Sequence, residues 1–148
     1  MMILSEIMTL HPLTLGPTNS VKQAMDLMQQ EHIRHIPIVD EYHHLLGLVT
    51  LTDILATRES KLLLINPERE AEFTDSVPLD AIMTRRVASA APDAGIKQAA
   101  RYLQQHKYGC LPVLQGSKLI GIVTESDFIA VAINLLELIA KQEPLTDF

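Results

Sequence analysis

A seven-residue motif occurs twice in this chain, as Gly47-Leu48-Val49-Thr50-Leu51-Thr52-Asp53 and as Gly121-Ile122-Val123-Thr124-Glu125-Ser126-Asp127. Each copy begins with a glycine that indicates a turn, continues with the apolar run of a buried strand, and ends in polar residues that suit a helix start. Thr52 and Ser126 are the candidate N-caps, and the aspartate after each complements the helix dipole. The motif therefore predicts, in two places, a strand that leads directly into a helix.

Each junction also carries two oxygen-bearing side chains three residues apart, Thr50 with Asp53 and Thr124 with Asp127. A carboxylate there can accept two hydrogen bonds at once, as the diol of a ribose would donate them. The alternative is that each aspartate only caps its helix. A single copy of the motif leaves both interpretations open.

The repetition extends far beyond the motif. Residues 7–40 align with 82–115 at an offset of 75, which becomes 74 after a one-residue deletion near 115–118. About a third of the paired positions are identical, among them Ile7-Met8-Thr9 with Ile82-Met83-Thr84, and Pro37 with Pro112. An internal repeat of this length is a statement about the fold, and two copies are too few for a solenoid. We therefore predict two pseudo-symmetric units packed on each other.

Local patterns predict the elements of each unit. Leu13-Thr14-Leu15 is a candidate short strand, and Asn19 or Ser20 is the candidate cap of the helix that follows. Residues 36–39 and 45–50 are two strands, expected to be antiparallel neighbours. A helix is expected from Thr52 to about Leu64, and the acidic stretch from Glu68 to Asp75 is interpreted as a solvated linker.

This order of features resembles the cystathionine beta-synthase (CBS) domain, a tandem pair of which is called a Bateman module. The resemblance rests on Ile-Met-Thr, a short strand before a proline, an amphipathic helix, a Pro-Ile-Val or Pro-Val-Leu strand, and Gly-x-Val-Thr-x-x-Asp, all in duplicate. It implies an α/β (α+β) fold of two pseudo-symmetric CBS subdomains, each a small sheet packed with helices. The first repeat is expected at 1–66, a linker at 67–78 and the second repeat at 79–148, with both repeats forming one module.

The resemblance further implies that a nucleotide binds between the two copies. One copy's Thr and Asp would hold the ribose, residues just before the proline would hold phosphate, and the other copy would hold the base. The first implied site has Thr50 and Asp53 for ribose, Arg34 and His35 for phosphate, and Ser89 and Tyr108 near the base. The second implied site has Thr124 and Asp127 for ribose, with Thr14 and Ile33 near the base.

The two implied sites are unequal. Gly109 and Cys110 precede Pro112 in the second copy and cannot neutralise phosphate, whereas the guanidinium of Arg34 is well suited to it. The first site should therefore prefer a nucleotide, and the second is expected to be empty or to take an adenosine-like ligand. Arg85 and Arg86 are candidates for added charge, and the alternative for Arg34 is a solvated residue at a strand edge.

Composition excludes several classes of protein. The chain has 148 residues, of which 47% are hydrophobic and 20% charged, so it folds rather than remaining disordered. Its net charge of −6 argues against nucleic acid as a partner. The N-terminus lacks the basic and apolar regions of a signal peptide, and no apolar run approaches a membrane span. The single cysteine excludes an internal disulfide and suits a reducing compartment, so we expect a cytoplasmic protein.

No catalytic motif is present, and we predict that the chain is not an enzyme. It contains no Gly-x-Gly-x-x-Gly, Walker, Gly-x-Ser-x-Gly or His-Glu-x-x-His sequence. Cys110 is interpreted as a buried structural thiol rather than a nucleophile. His32, His35, His43 and His44 could in principle bind a metal, but their spacing matches no standard site and no metal is predicted.

The last predicted helix, from Ser126 to about Lys141, is apolar on more than one face and must be covered by something. One interpretation is packing against the N-terminal helix and the leucines 62–64 of the linker helix. The other is a subunit interface, and because the family usually pairs such modules we expect a homodimer.

These observations predict a regulatory sensor for an adenine nucleotide, with AMP as the first candidate and ADP, ATP or S-adenosylmethionine behind it. No cofactor is obligatory. Ligand binding would shift the orientation of the repeats and thereby act on a client protein that the sequence does not name. The alternative is a dimerisation or protein-interaction scaffold with vestigial ligand sites.

Overall fold

The computed structural model describes residues 2–62 and 76–142. Its helices are α1 (Val21–Glu31), α2 (Leu51–Leu62), α3 (Ile96–His106) and α4 (Glu125–Gln142), with 3-10 turns at Leu4–Glu6 and Leu79–Ala81. Its strands are β1 (Thr9–Leu10), β2 (His35–Val39), β3 (Leu45–Thr50), β4 (Cys110–Gln115) and β5 (Lys118–Thr124). The predicted acidic linker lies outside the described residues.

Two small antiparallel sheets form the framework. β2 pairs with β3 in one sheet, and the other sheet has the order β1-β5-β4. Equivalent residues pair in both, because His35 lies opposite Thr50 and Cys110 lies opposite Thr124. The mixed helix-and-strand fold and the antiparallel pairing of β2 with β3 are thus confirmed.

The start of α1 follows the sequence, whereas the strand predicted before it does not form. The Ser20 hydroxyl accepts from the Gln23 amide, and the Gln23 side chain accepts from the Ser20 amide, which makes a complete capping box. Between residues 13 and 15 the only strand-like pairing described is a single parallel bridge from Leu15 to Ile38. Pro12 and Pro17 flank this stretch, and without N–H groups they cannot extend a ladder.

The helices after the repeated motif begin one residue earlier than predicted, and the residues that precede them lie two positions before the predicted caps. α2 starts at Leu51 and α4 at Glu125, so Thr50 and Thr124 precede them, not Thr52 and Ser126. The reason is that no loop separates strand from helix. The first helical amides donate to carbonyls of the neighbouring segment, Leu51 to Arg34 at 2.9 Å and Glu125 to Gly109 at 3.2 Å.

The two cores exchange their leading segments. Leu4 is fully buried in the second repeat's core with residues such as Leu103 and Val123, and its amide donates to Ala94. Leu79 is fully buried in the first repeat's core. Each repeat is therefore completed by the segment that precedes the other repeat's first helix. The boundaries predicted at 1–66 and 79–148 describe the duplicated sequence and stay a prediction for the domains.

This exchange explains the repeated glycines, which lie inside strands and not in turns as predicted. Thr84 exchanges two backbone hydrogen bonds of 2.9 Å with Leu48, directly against Gly47. A Cβ at Gly47 would lie 2.8 Å from the Thr84 carbonyl oxygen and 2.7 Å from the Met83 sulfur. At Gly121 it would lie 3.1 Å from the Thr9 carbonyl oxygen. Glycine is needed because another backbone crosses there.

Within the described residues, the apolar face of helix α4 is left exposed. The leucines 62–64 that were expected to pack against it belong to a segment whose side chains lie outside the described residues, so that packing stays a prediction. Ile129 is 59% exposed, Ile133 50% and Leu136 64%, and these positions share one face. Leu135, Leu138 and Ile139 are also about half exposed. The apolar residues of α4 that the sequence shows are therefore exposed on the surface of the chain.

Candidate functional site

Two cavities lie between the repeats and are lined by equivalent segments. Cavity A, of about 790 Å³, is lined from within residues 9–13 and 32–35 of the first repeat and by 124–126 of the second. Cavity B, of about 440 Å³, is lined from within residues 84–88 and 107–110 of the second repeat and 50–53 of the first. Both strand-to-helix junctions contribute to each cavity, since Thr50, Thr52 and Glu125 line both. The two volumes match those of ordinary small-molecule sites.

Cavity B brings together four of the six residues predicted for the first site. Thr50 and Asp53 line it from the start of α2, and Tyr108 faces them from the other repeat. His35 also lines this cavity. The other two residues lie elsewhere, since Arg34 lines cavity A and Ser89 lines neither cavity.

Cavity A brings together two of the four residues predicted for the second site, with Arg34 added. Thr124 and Ile33 both line it. The backbone carbonyl of Arg34 accepts from the Leu51 amide, and Arg34 lines cavity A. Thr50 and Thr124 both line this cavity, so Arg34 lies beside the junction with which the sequence grouped it and beside the junction of the other repeat.

The predicted base contacts are shifted by one residue in both cavities. Leu13 lines cavity A in place of Thr14, and Ala88 lines cavity B in place of Ser89. Thr14 instead lines a shallow depression beside Asp40. Neighbouring side chains of an extended segment point to opposite sides, so an error of one position moves the residue out of the cavity.

The two motif aspartates play different local roles. The Asp127 carboxylate accepts from the Thr124 amide at 2.9 Å, which is the reciprocal half of a capping box, and Asp127 does not line either cavity. At the first junction it is the Thr50 hydroxyl that accepts, from the Asp53 amide at 3.1 Å. No described residue hydrogen-bonds the Asp53 carboxylate, which lines cavity B. Of the two motif aspartates, only Asp53 therefore lines a cavity.

His35 lies between the two cavities and lines both. Burial lowers the pKa of His35 most strongly and Arg34 lowers it further, while Glu125 and Asp53 act in the opposite direction. Its ring occupies the space above Gly109, where a Cβ would come within 2.6 Å of the imidazole Nε2. Gly109 is thus required by packing, which accounts for the missing counterpart of Arg34.

Four basic residues of the cavities were not among the assigned site residues, although Arg86 was named from the sequence as a candidate for added charge. His11 and His32 line cavity A, and Arg86 and Lys107 line cavity B. They are repeat-equivalent pairs, 11 with 86 and 32 with 107. The alignment of the two repeats has a basic residue at both copies of each of these positions, and this signal could have identified them.

The other candidate chemistry receives no support from the described residues. Burial raises the pKa of the Cys110 thiol to about 12, so it is not a ready nucleophile at neutral pH. His44 is 3.3 Å from Asp40, whose pKa is lowered chiefly by the hydrogen bond from the His44 amide. In the part of the chain that the structure describes, no group of three or more histidine, cysteine or acidic residues could hold a metal ion.

The duplicated junctions, the exchanged segments and the paired cavities can now be compared with known proteins. The sequence pattern of the CBS domain matches residues 4–59 and again residues 79–134. The chain belongs to the CBS domain family. Its fold is that of a CBS domain pair. Within the described residues, no helix has the length and apolar character needed to cross a membrane.

Solved structures of CBS pairs resemble it over nearly its whole length. An acetoin utilization protein (AcuB) from Vibrio cholerae is 44% identical, with a TM-score of 0.84 over 97% of this chain and 98% of that one. The CBS pair of MJ0100, in complex with 5′-methylthioadenosine and S-adenosylmethionine, is 26% identical, with a TM-score of 0.74 over 90% and 98%. CBSX2 in complex with AMP is also 26% identical, with a TM-score of 0.74 over 90% and 97%.

Curated relatives match this chain in only part of their length. A protein named homoserine O-acetyltransferase, from Methanosalsum zhilinae, is 32% identical over 120 residues, which make up 80% of this chain and 22% of that protein. The chain thus spans about a fifth of the length of such relatives. The likeness concerns the CBS portion of those proteins.

Proposed function

We propose that this chain is a regulatory module that binds an adenosine-containing ligand, AMP first, in the cleft between its CBS repeats. The observation that carries this proposal is the composition of cavity B. There the unpartnered carboxylate of Asp53 and the threonine Thr50 face Tyr108 of the other repeat. A carboxylate suits a ribose diol, and an aromatic ring suits a base.

The solved relatives support this choice of ligand. CBSX2 is described in complex with AMP, and the MJ0100 pair with 5′-methylthioadenosine and S-adenosylmethionine. ADP, ATP and S-adenosylmethionine are therefore kept as alternative ligands. The proposal describes a sensor and not an enzyme, because the ligand would be held by polar and aromatic contacts and not attacked by a nucleophile.

Binding would regulate by acting on both repeats together. Each cavity is lined by residues of the two repeats, so a bound ligand would contact both and favour one relative orientation. A client protein would read that orientation. The name of the Vibrio cholerae relative makes acetoin utilization the first process to test, and a cytoplasmic location is part of this proposal.

Calorimetry of the purified chain with AMP, adenosine, ADP, ATP, S-adenosylmethionine and 5′-methylthioadenosine tests the proposal. We expect AMP to bind and to raise thermal stability, since a ligand at 100 times its Kd adds about 2.7 kcal/mol. Guanosine and cytidine monophosphates are the matched controls. Failure of every adenosine compound to bind at millimolar concentration would reject the function.

A second candidate function, a dimerisation scaffold with vestigial ligand sites, is favoured by the exposed apolar face of α4. Ile129, Ile133 and Leu136 share that face and are each at least half exposed. Exposed apolar patches of this kind mark interaction sites. The two functions are compatible, because a homodimer can also bind nucleotides.

Sedimentation at several concentrations tests the scaffold. We expect a homodimer for the natural sequence and a monomer for Leu136→Glu, because a charge on that face would have to be buried in the interface. Asn134→Glu, at an exposed polar position of the same helix, is the control and should leave the dimer intact. A natural sequence that sediments as a monomer throughout would remove the scaffold.

A further inference from the structure

Cavity B contains two basic side chains that have no protein partner. Arg86 and Lys107 both line it, from two separate segments of the second repeat. Lys107 directly follows α3, where its backbone is left-handed with φ of 56°. Neither side chain forms a hydrogen bond or an ion pair with any described residue. Both charges therefore remain available to a ligand.

Arg85, the residue before Arg86, does have a hydrogen-bond partner in the protein. The Arg85 guanidinium donates to the backbone carbonyl of Asp80 at 3.1 Å and does not line cavity B. Of these two consecutive arginines, Arg85 therefore has a protein partner and Arg86 lines the cavity. This makes Arg85 a control for every measurement on Arg86.

Cavity B is lined by charged residues of both signs. Arg86 and Lys107 come from the second repeat, and Asp53 comes from helix α2 of the first. Glu125, like His35, lines both cavities. A ligand with hydroxyl donors at one end and negative charge at the other matches such an arrangement, because each end meets the complementary group.

Cavity A differs at the equivalent positions, which carry His11 and His32. As residue types, arginine and lysine keep their charge through the physiological range, whereas histidine changes charge within it. Arg34 is then the one arginine or lysine that lines cavity A among the described residues, against two in cavity B.

We propose that Arg86 and Lys107 form a subsite for the phosphate chain of an adenine nucleotide in cavity B, so that this cavity takes a nucleoside di- or triphosphate. The proposal rests on the proposed function, since it assigns a phosphate subsite beside the carboxylate that would hold the ribose. Two separated cations suit two or more phosphates better than one. They also offset the acidic groups of a cavity in a protein whose net charge is −6.

The test compares adenosine, AMP, ADP and ATP by calorimetry in the natural sequence, Arg86→Gln, Lys107→Gln and the control Arg85→Gln. An Arg34→Gln background removes the arginine of cavity A, so that the remaining dependence of affinity on phosphate reports on cavity B. We expect affinity to rise from adenosine to ADP and ATP. Arg86→Gln should lower ADP affinity about tenfold or more and leave adenosine affinity unchanged, since a hydrogen bond to a charged group is lost.

The remaining measurements distinguish a failure of the phosphate subsite from a failure of the proposed function. Arg85→Gln should match its parent, and the ADP affinity of Arg86→Gln should depend less on salt because one phosphate contact is gone. Thermal melts without ligand check that the exposed substitutions leave the fold unchanged. If Arg86→Gln and Arg85→Gln behave alike while adenosine still binds, the subsite is wrong and the proposed function survives. If no adenosine compound binds the natural sequence, both are rejected.

Discussion

Cavities A and B have the same construction and different chemistry. The residues that hold the backbone are the same in both repeats, such as the glycines where another segment crosses and the threonines that precede the helices. The residues that face the cavities differ at equivalent positions, Arg34 against Gly109 and Ile33 against Tyr108. Duplication therefore preserved the framework that packing demands and left the ligand-facing positions free to diverge.

Substitution of the two motif aspartates is the strongest test of the difference between the two junctions. Asp53→Ala removes an unpartnered carboxylate from cavity B and should weaken adenosine-ligand binding by about 1.5–3 kcal/mol with little loss of stability. Asp127→Ala removes a helix cap and should cost about 0.5–2 kcal/mol of unfolding free energy. Calorimetry and urea unfolding on both variants would measure the two effects.

Equal behaviour of the two variants would contradict this division of roles. If Asp53→Ala binds as well as the natural sequence, the ribose assignment fails and a capping role is left for that residue as well. Asp53→Asn is the conservative control, because it keeps the size and removes the charge.

The glycines should also respond unequally. Gly47→Ala should destabilise the fold by about 1–3 kcal/mol, because its Cβ would lie 2.8 Å from the Thr84 carbonyl oxygen, which a side-chain movement cannot relieve. Gly121→Ala should cost less, since the Thr9 carbonyl oxygen is 3.1 Å away and the nearer atom is the Met8 sulfur of a flexible side chain.

Urea unfolding of the two variants gives the comparison directly. A cost at Gly121 equal to or larger than the cost at Gly47 would show that the crossing segments adjust by a route other than side-chain rotation.

Arg34 is the test of cavity A. Arg34→Ala should lower AMP affinity there about tenfold and leave adenosine affinity unchanged, because a charge-assisted hydrogen bond to phosphate is lost. Arg86→Gln serves as its counterpart in cavity B. Should Arg34→Ala weaken AMP and adenosine equally, the side chain positions the pocket and does not bind phosphate.

His35, which is common to both cavities, should give the smallest effect. Burial lowers its pKa below the ordinary value of 6.5, so the unfolded chain binds the proton more readily than the folded one. Stability from this group is therefore present above pH 6.5 and falls as the pH drops toward the lower, folded pKa. Unfolding free energies at pH 7.5 and 5.5 should differ less in His35→Gln than in the natural sequence, and an unchanged difference would contradict the assignment.

The fold was predictable because the duplication constrained it at many positions at once. The antiparallel pair β2 and β3, the capping box at Ser20 and the direct strand-to-helix junction all follow from local patterns. Local patterns could not predict which residues of an extended segment face a cavity. Thr14 and Ser89 were chosen one position from Leu13 and Ala88, and in an extended segment one position reverses the direction of the side chain.

The grouping of Arg34 depended on a long-range arrangement. Arg34 lines cavity A together with both Thr50 and Thr124, because both strand-to-helix junctions contribute to that cavity. For the apolar face of α4, the sequence left packing within the chain and a subunit interface both open. Apolar residues on a helix indicate that its face is buried, but they do not identify the surface that covers it.

The exchanged segments have a consequence for how the chain is synthesised. Leu4 and Val123 belong to the same core and are 123 − 4 = 119 positions apart. A chain that emerges from the ribosome N-terminus first can complete the first repeat's core once Met83 is available. Its opening segment, although made earliest, must wait for the last strand before it has a place to pack. The oldest part of the nascent chain is thus among the last to fold, and a nascent chain that has emerged from the ribosome as far as residue 100 would carry one finished core with an unpaired leader.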